Sequence, residues 1–340
     1  MATIKDVARE VGVSVATVSR VFNGNAPVRP ETRERVLDAA HRLRYVPNAA
    51  ARSLITNRAH TLGVLLPDLF GEFFSEVLRG IDHMAQQNGY HLLVSNCHDE
   101  HRGLEAAIQA MQGRVDGIIV MAPDLDAGRV EETIPDGTAA VLLNCRRGAR
   151  VHQSLTVDNR GGARAATRHL IEHGYRRVSI IRGAAGNRDA EDRLIGYREA
   201  MREFGGAWAE DLEVLGDFSE SSGYRAARAL LALPERPRAI FASNDGMAIG
   251  ALSALGEAGV RVPEEIAIVG FDDIPVSRYV NPPLTTMEVL INDLGGRACQ
   301  LLLDAVEGRD GVGLGGRAEI VPTRLVVRSS CGCAAAQRSP

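Results

Sequence analysis

Apolar positions recur at helical spacing over the first 46 residues and change texture near residue 60. Ile4, Val7, Ala8 and Val11 fall on one face of a first short helix, which Thr3 and Asp6 are placed to cap. Gly12 can end that helix in the left-handed conformation, and Ser14 can cap a second one running to about Phe22. On this second helix Val18, Val21 and Phe22 share one face, while Val15, Ala16, Ser19 and Arg20 share the other. Pro30 suits the first position of a third helix, in which Val36, Leu37, Ala40 and Leu43 make a stripe before Pro47 stops it.

From Thr61 onward short apolar runs alternate with amphipathic stretches. TLGVLLP, YHLLVSN, DGIIVM and AAVLLN form one set of strands; SLTVD, RVSIIR, LEVLG, RAIFAS and EIAIVGFD form a second. Segments such as Gly161 to His173, Ala190 to Phe204 and Leu294 to Glu307 read as helices between or after them. Alternation of this kind predicts parallel sheets covered by helices. The fold class is therefore α/β, an all-α head of helix-turn-helix pattern followed by two doubly wound parallel lobes.

With 340 residues, 45% of them hydrophobic and 24% charged, the chain is long enough for more than one core. The formal charge of −4 hides an uneven distribution: residues 1–60 carry ten Lys and Arg against five Asp and Glu, leaving 29 against 38 in the remainder. The basic end is where phosphate contacts belong, and the exposed face of the second helix is what a DNA major groove would meet. Arg20 can make a bidentate pair with guanine and Val15 and Ala16 can pack on a thymine methyl, each good bidentate pair discriminating by roughly 1–3 kcal/mol. Ser19 completes the candidate set for the major groove.

No apolar run approaches the roughly eighteen residues of a membrane span, no signal sequence opens the chain, and the five cysteines form no disulfide framework, so a cytoplasmic location is expected. Three motifs fail on context. Gly311, Gly313 and Gly316 satisfy GxGxxG but follow a helix and precede a strand, the reverse of the dinucleotide fingerprint. Cys97, His98 and His101 lack a fourth metal ligand. Cys331 and Cys333 fit a redox pair or half a zinc site, but their place beside the polar tail AAAQRSP favours a frayed terminus. No nucleophile has a recognisable neighbouring base, which argues against an enzyme, and nothing calls for a cofactor or a metal.

The strand ends carry Asp68, Asn144, Arg193, Asn244 and Asp272, with Phe73, Phe74 and Phe218 as candidate stacking walls. Carboxylates, amides and an Arg above apolar faces suit a hydroxylated small molecule such as a sugar.

The run ATIKDVAREVGVSVATVSRVFNG resembles, almost letter for letter, the headpiece of the lactose/galactose repressor family of bacterial transcription regulators, with the galactose branch nearest. The resemblance covers about Ala2 to Arg328 and implies a core like that of periplasmic sugar-binding proteins. It also implies a hinge helix in YVPNAAARSL that folds on DNA, with Leu54 as a minor-groove wedge beside Ala51 and Arg52. Arg193 in DAEDRLIGY, Asn244 in ASNDGMA and Asp272 in VGFDD match the family's effector contacts, Phe218 matches a wall position, and Phe73 and Phe74 match its aromatic pair. Asn144 stands where many relatives have Asp, Cys145 where sugar-binding relatives often have Arg, and Val289 where several have Gln. The implied layout is a head at 1–46, a hinge at 47–60, a core at 61–330 and a flexible tail at 331–340. Within the core the first lobe takes about 61–158 plus 290–317 and the second about 159–286 plus 320–330, with crossings near Asp158, Thr286 to Leu290 and Arg317 to Val321.

The function implied is that of a repressor binding a near-palindromic double-stranded operator as a homodimer and responding to a monosaccharide or glycoside. A co-repressed or phosphocarrier-assisted regulator is the variant within that class; a sugar-binding transport component is the rival outside it.

Overall fold

The computed structural model describes residues 2–23, 27–46, 58–97, 102–145, 151–308, 316 and 318–333. Ala51, Arg52 and Leu54, His98 and His101, and Gly311 and Gly313 lie outside the described residues.

The head consists of α1 (Ile4–Val11), α2 (Val15–Asn23) and α3 (Pro30–Arg42). The Asp6 carboxylate accepts from the backbone N–H and the hydroxyl of Thr3 at 2.9 and 2.7 Å, satisfying a donor that the helix start leaves free. Gly12, at φ 73°, ends α1, and Ser14 Oγ accepts from Thr17 N at 3.1 Å to begin α2. Val7, Ala8, Val11, Val18, Val21, Val36, Ala39 and Ala40 form the small core. Two details depart from the sequence reading. Leu37 is 42% exposed, its place in the stripe being taken by Ala39, and α3 ends at Arg42, before Pro47 is reached. Arg44 at φ 50° and the bond from Tyr45 N to Ala40 O turn the chain there.

The core holds two six-stranded sheets. The first is built from β1 (Thr61–Leu66), β2 (His91–Asn96), β3 (Gly117–Met121), β4 (Ala139–Leu143), β5 (Gln153–Val157) and β11 (Ala318–Val321), in the order β11-β5-β4-β3-β1-β2, all parallel. The second contains β6 (Val178–Arg182), β7 (Glu213–Leu215), β8 (Ala239–Ala242), β9 (Ala267–Asp272), β10 (Thr285–Glu288) and β12 (Arg324–Val326), in the order β12-β10-β9-β8-β6-β7. Only β12 runs antiparallel to its neighbour. Strands covered on both faces need uninterrupted apolar sequence, and every residue of β3 and β9 is buried.

The covering helices are α4 (Glu72–Gln87), α5 (Arg102–Met111), α6 (Ala127–Thr133), α7 (Asn159–Glu172), α8 (Arg188–Glu203), α9 (Glu220–Leu231), α10 (Asp245–Glu257) and α11 (Ile291–Val306). Three pairs, α4 with α11, α7 with α8 and α9 with α10, pack most extensively. Glycine permits the closest of these approaches: a Cβ at Gly80 would lie 1.9 Å from Asn292 O, and one at Gly250 1.9 Å from Glu220 O.

The chain passes between the sheets three times. It leaves β5 at Asp158 for α7, leaves β10 through Val289 and Leu290 for α11, and leaves β11 through Pro322 and Thr323 for β12. The third passage falls later than the Arg317 to Val321 expected, because Ala318–Val321 still pairs in register with Ser154–Val157 of the first sheet.

The expected tail also begins later. Ser330 and Cys331 are fully buried, and Ser330 Oγ bridges Ile268 O at 2.7 Å and Thr285 N at 2.8 Å. Among the described residues no helix is long and apolar enough to cross a membrane.

Candidate functional site

The carboxyl ends of both sheets border one cleft of about 310 Å³, within the range of small-molecule sites. From the first lobe it is lined by Asp68, Phe70, Phe73, Phe74, Met121 and Asp124; from the second by Asn187, Asp189, Arg193, Phe218, Asn244 and Asp272, among others. Seven of the eight residues picked out for this site in the sequence thus line one cavity.

Local structure fixes each of them. Asp68 Oδ1 accepts from Leu69 N and Phe70 N at 2.7 and 3.0 Å, a turn that presents the following loop. Phe73 and Phe74, in the first turn of α4, meet edge to face at 5.5 Å. Phe218, at φ 72°, lies over Gly183, where a Cβ would sit 2.2 Å from its ring. Asn244 caps α10 by accepting from Met247 N at 2.9 Å, and its amide donates to Phe218 O at 2.9 Å, so one side chain starts a helix and fastens the aromatic wall. Arg193, 4% exposed, lies over the Phe271 ring with its guanidinium carbon 3.8 Å from the ring centre. It donates to Asn159 Oδ1 at 2.8 Å, to Asp272 Oδ1 at 3.2 Å and to the Ser243 carbonyl.

Asn144 is the exception. It does not line the cleft; it sits behind it, 1% exposed, and donates to Asp189 Oδ2 at 3.1 Å while accepting from Val157 N at 3.2 Å. Its φ of 50° suits Asn, whose side chain tolerates the left-handed region. Its role here is to hold Asp189, which also accepts from Asn159 Nδ2 at 2.7 Å.

Asp189 and Asn159 are bonded into the same cluster as Arg193, and sequence alone marks neither. Asp189 falls just inside a helix start and Asn159 just after a lobe crossing, where each reads as an ordinary helix-end polar residue. Asp124 and Asn187 were also missed, although both lie in loops after strands β3 and β6, the region the strand-end rule identifies.

Burial dominates the electrostatics. It raises Asp272 to about 7 and Asp189 to about 6, outweighing the attraction of Arg193 for both. Asp245, wholly buried beneath the cleft, is pushed well above the usual carboxylate range by burial and by Asp272, although Thr286 Oγ1 at 2.5 Å and Ile274 N at 3.0 Å donate to it. Among the described residues, four of the seven non-glycine positions with positive φ (Asn144, Phe218, Asp272 and Asp273) fall at these strand ends. Conformations of this kind cost roughly 1–3 kcal/mol each and collect at binding sites.

Among the described residues, three hydrogen bonds join the lobes at or behind the cleft. Asn144 meets Asp189, Arg188 N donates to Pro123 O at 3.0 Å, and Val276 N donates to Glu72 Oε2 at 3.0 Å.

In the head, α2 presents Val15, 40% exposed, together with exposed Ala16 and Arg20 and half-buried Ser19, whereas Val18 and Val21 are buried. The chemistry of that face is that of a groove reader, one forked cation among small apolar and hydroxyl groups.

Comparison with known proteins agrees with both halves. Residues 3–48 match the model of bacterial regulatory proteins of the lacI family, and residues 167–331 match that of a periplasmic binding protein-like domain. The HTH-type transcriptional regulator GalR of Escherichia coli strain K12 is 38% identical over 313 residues, which cover 91% of this chain and 90% of that protein. Among solved structures, the lac repressor dimer bound to operator and the anti-inducer ONPF superposes with a TM-score of 0.87 at 30% identity, over 97% of this chain and 99% of that one. The transcriptional regulator CelR in complex with cellobiose gives a TM-score of 0.72 at 31% identity, over 97% and 100%. Similarity of this extent, running through head and core alike, makes the chain a member of the lacI family of bacterial regulatory proteins.

Proposed function

We propose that the protein is a homodimeric transcription repressor of the cytoplasm, without enzymatic activity, that releases or grips a near-palindromic operator according to whether a monosaccharide or glycoside occupies the cleft. The observation that carries this reading is the cleft itself. Its polar groups, Asp68, Asp189, Arg193, Asn244 and Asp272, come from both lobes and face the aromatic walls Phe73, Phe74 and Phe218. Such a mixture exchanges hydrogen bonds with hydroxyl groups and covers the C–H face of a sugar ring. The exposed face of α2, with Val15, Ala16, Ser19 and Arg20, supplies the base contacts. Ala51, Arg52 and Leu54 are assigned to the minor groove on the family resemblance. One head reads a half-site, so a dimer matches a palindrome.

In this mechanism a ligand acts through the difference in its affinity for two lobe arrangements, and it can shift the operator equilibrium only by that difference. The coupling is reciprocal, typically about 1–3 kcal/mol. The test is selection of operator sites from random DNA, followed by titration of the selected site with a panel of sugars and nucleosides. Weakened operator binding with a sugar supports induction. Strengthened binding identifies co-repression, and a response to nucleosides alone overturns the sugar assignment.

A further inference from the structure

At the far end of α7 from the cleft, four side chains converge that the regulatory reading leaves without a role. Asn159 at the cleft and Glu172 at the last turn are about 20 Å apart along the helix axis. His169 and His173 are one turn apart and share a face, with ring centres 4.3 Å apart. The C-terminal segment brings Cys333 against both: its Sγ is 3.3 Å from His169 Nε2 and 2.9 Å from His173 Nε2. Cys331 Sγ is 3.0 Å from Cys333 Sγ. We propose that His169, His173 and Cys333, completed by Cys331, bind one thiophilic divalent cation of the zinc type.

The donor atoms of His169, His173 and Cys333 all lie within 4.8 Å of one another. Zinc holds imidazole nitrogen at about 2.0–2.1 Å and thiolate sulfur at about 2.3 Å, which sets ligand atoms roughly 3.5 Å apart in a tetrahedron. The observed contacts to Cys333 are tighter by tenths of an ångström, so a small outward movement of the rings admits the ion, and Cys331 Sγ, which touches Cys333 but is not within the group of three, completes the set by turning inward. Two imidazoles and two thiolates select zinc over magnesium or calcium, which prefer oxygen.

The surroundings of the four groups fit the same role. His173 Nδ1 lies 2.7 Å from the His169 carbonyl, which can only accept. Nδ1 is therefore the donor, Nε2 keeps its lone pair for a metal, and a ligand histidine commonly has its other nitrogen held in this way. Thr285 Oγ1, 3.1 Å from Cys331 Sγ, gives its proton to that sulfur, because it already accepts from Arg328 N at 2.8 Å. Gly332, at φ 87°, turns the chain between the two cysteines, and a Cβ there would lie 2.9 Å from Tyr175 Oη. The C-x-C turn is therefore anchored on the buried Ser330 and Cys331. Binding replaces the thiol proton of each cysteine, so two protons leave as the ion enters. The bound ion then staples the Ser330–Cys333 turn to α7 and stabilises the second lobe by mass action.

The test uses the full chain, stripped with a chelator, kept reduced with a phosphine, and titrated with zinc against a chromophoric competitor. One equivalent of zinc should bind, with a rise in melting temperature that magnesium does not reproduce. His173→Ala and Cys333→Ser should each lose both effects while keeping the wild-type circular dichroism. His173 is exposed, so its replacement leaves the core intact. With cobalt in place of zinc, Cys331→Ser should reduce the sulfur-to-metal charge-transfer band to about half, as expected when one of two thiolates is lost. A wild-type chain that binds no zinc, or variants that bind it as tightly as the wild type, would show the cluster to be a hydrogen-bonded packing contact. An undiminished cobalt band in Cys331→Ser would remove Cys331 from the site.

Discussion

Asn144 of the first lobe donates its amide to Asp189 of the second at 3.1 Å, and both side chains are buried. The bond ties the lobes together at the rear of the ligand cavity, which Asp189 itself lines. Asp189→Ala should leave the amides of Asn144 and Asn159 without their acceptor, and each buried donor so orphaned costs about 1–3 kcal/mol. Urea denaturation of the variant should show that loss. Operator titration with and without ligand should show a reduced difference between the two states. If the ligand response stayed at wild-type size, the latch would have no part in coupling.

Arg193 is held between Asp272 and Asn159 on the face of Phe271. Arg193→Met should destabilise the core by about 3–5 kcal/mol, because it leaves buried carboxylates without their cation. Combining it with Asp272→Asn should recover part of that loss, and a double-mutant cycle measures how much. Purely additive effects would mean that the two side chains do not act as a pair.

The cleft carboxylates make stability depend on pH. Asp272 and Asp189 are raised to about 7 and about 6 from an ordinary value near 3.8. The folded chain therefore binds more protons than the unfolded one between those limits, so this contribution is complete below about pH 4 and is lost as pH rises towards 7. Denaturation midpoints of Asp272→Asn across pH 4 to 8 should fall less steeply than those of the wild type. A ligand hydroxyl donated to Asp272 favours the charged form, so ligand binding near neutral pH should release protons, seen as a buffer-dependent heat in calorimetry.

In the head, Arg20→Ala should relax sequence preference at a single base pair by roughly 1–3 kcal/mol. In the hinge, Arg52→Ala should instead weaken binding to all sequences alike and reduce the salt slope by about 1. Selection profiles and salt titrations separate the two. An unchanged profile for Arg20→Ala would remove it from the recognition face.

Gly250→Ala places a Cβ 1.9 Å from the Glu220 carbonyl, against rigid backbone. The helix pair α9 and α10 must then separate, at a cost comparable to overpacking a core, about 1–3 kcal/mol or more. Thermal denaturation reads this directly. At Gly256, also in α10, a Cβ meets nothing within 4 Å, and the same substitution should be harmless.

Local signals made much of this molecule readable from sequence. Thr3 with Asp6, Gly12 and Ser14 specify the head through chemistry confined to a few neighbouring residues. The strands of the core announce themselves because parallel sheets buried on both faces require apolar runs. Asp189 and Asn159 give no such signal: they pair with each other across 30 residues of sequence, and Asp189 pairs with Asn144 of the other lobe across 45, so their importance arises only from the tertiary fold. Asn144 was misplaced for a related reason. A polar residue at a strand end can face either the ligand or the opposite lobe, and residue type does not distinguish them. Cys331 reads as part of a tail because its neighbours on one side are polar, whereas its burial comes from Ser330 bridging β9 and β10.

The three passages at Asp158, Val289–Leu290 and Pro322–Thr323 also bear on synthesis. The first sheet waits for β11, and α4 waits for α11, until almost the whole chain has left the ribosome. Neither lobe corresponds to a continuous stretch that could be expressed alone, and a premature stop anywhere before residue 318 removes an edge from both sheets at once. A regulator built this way exists as a complete switch or as an unfinished one, with little room for a fragment that binds its ligand yet has lost its output.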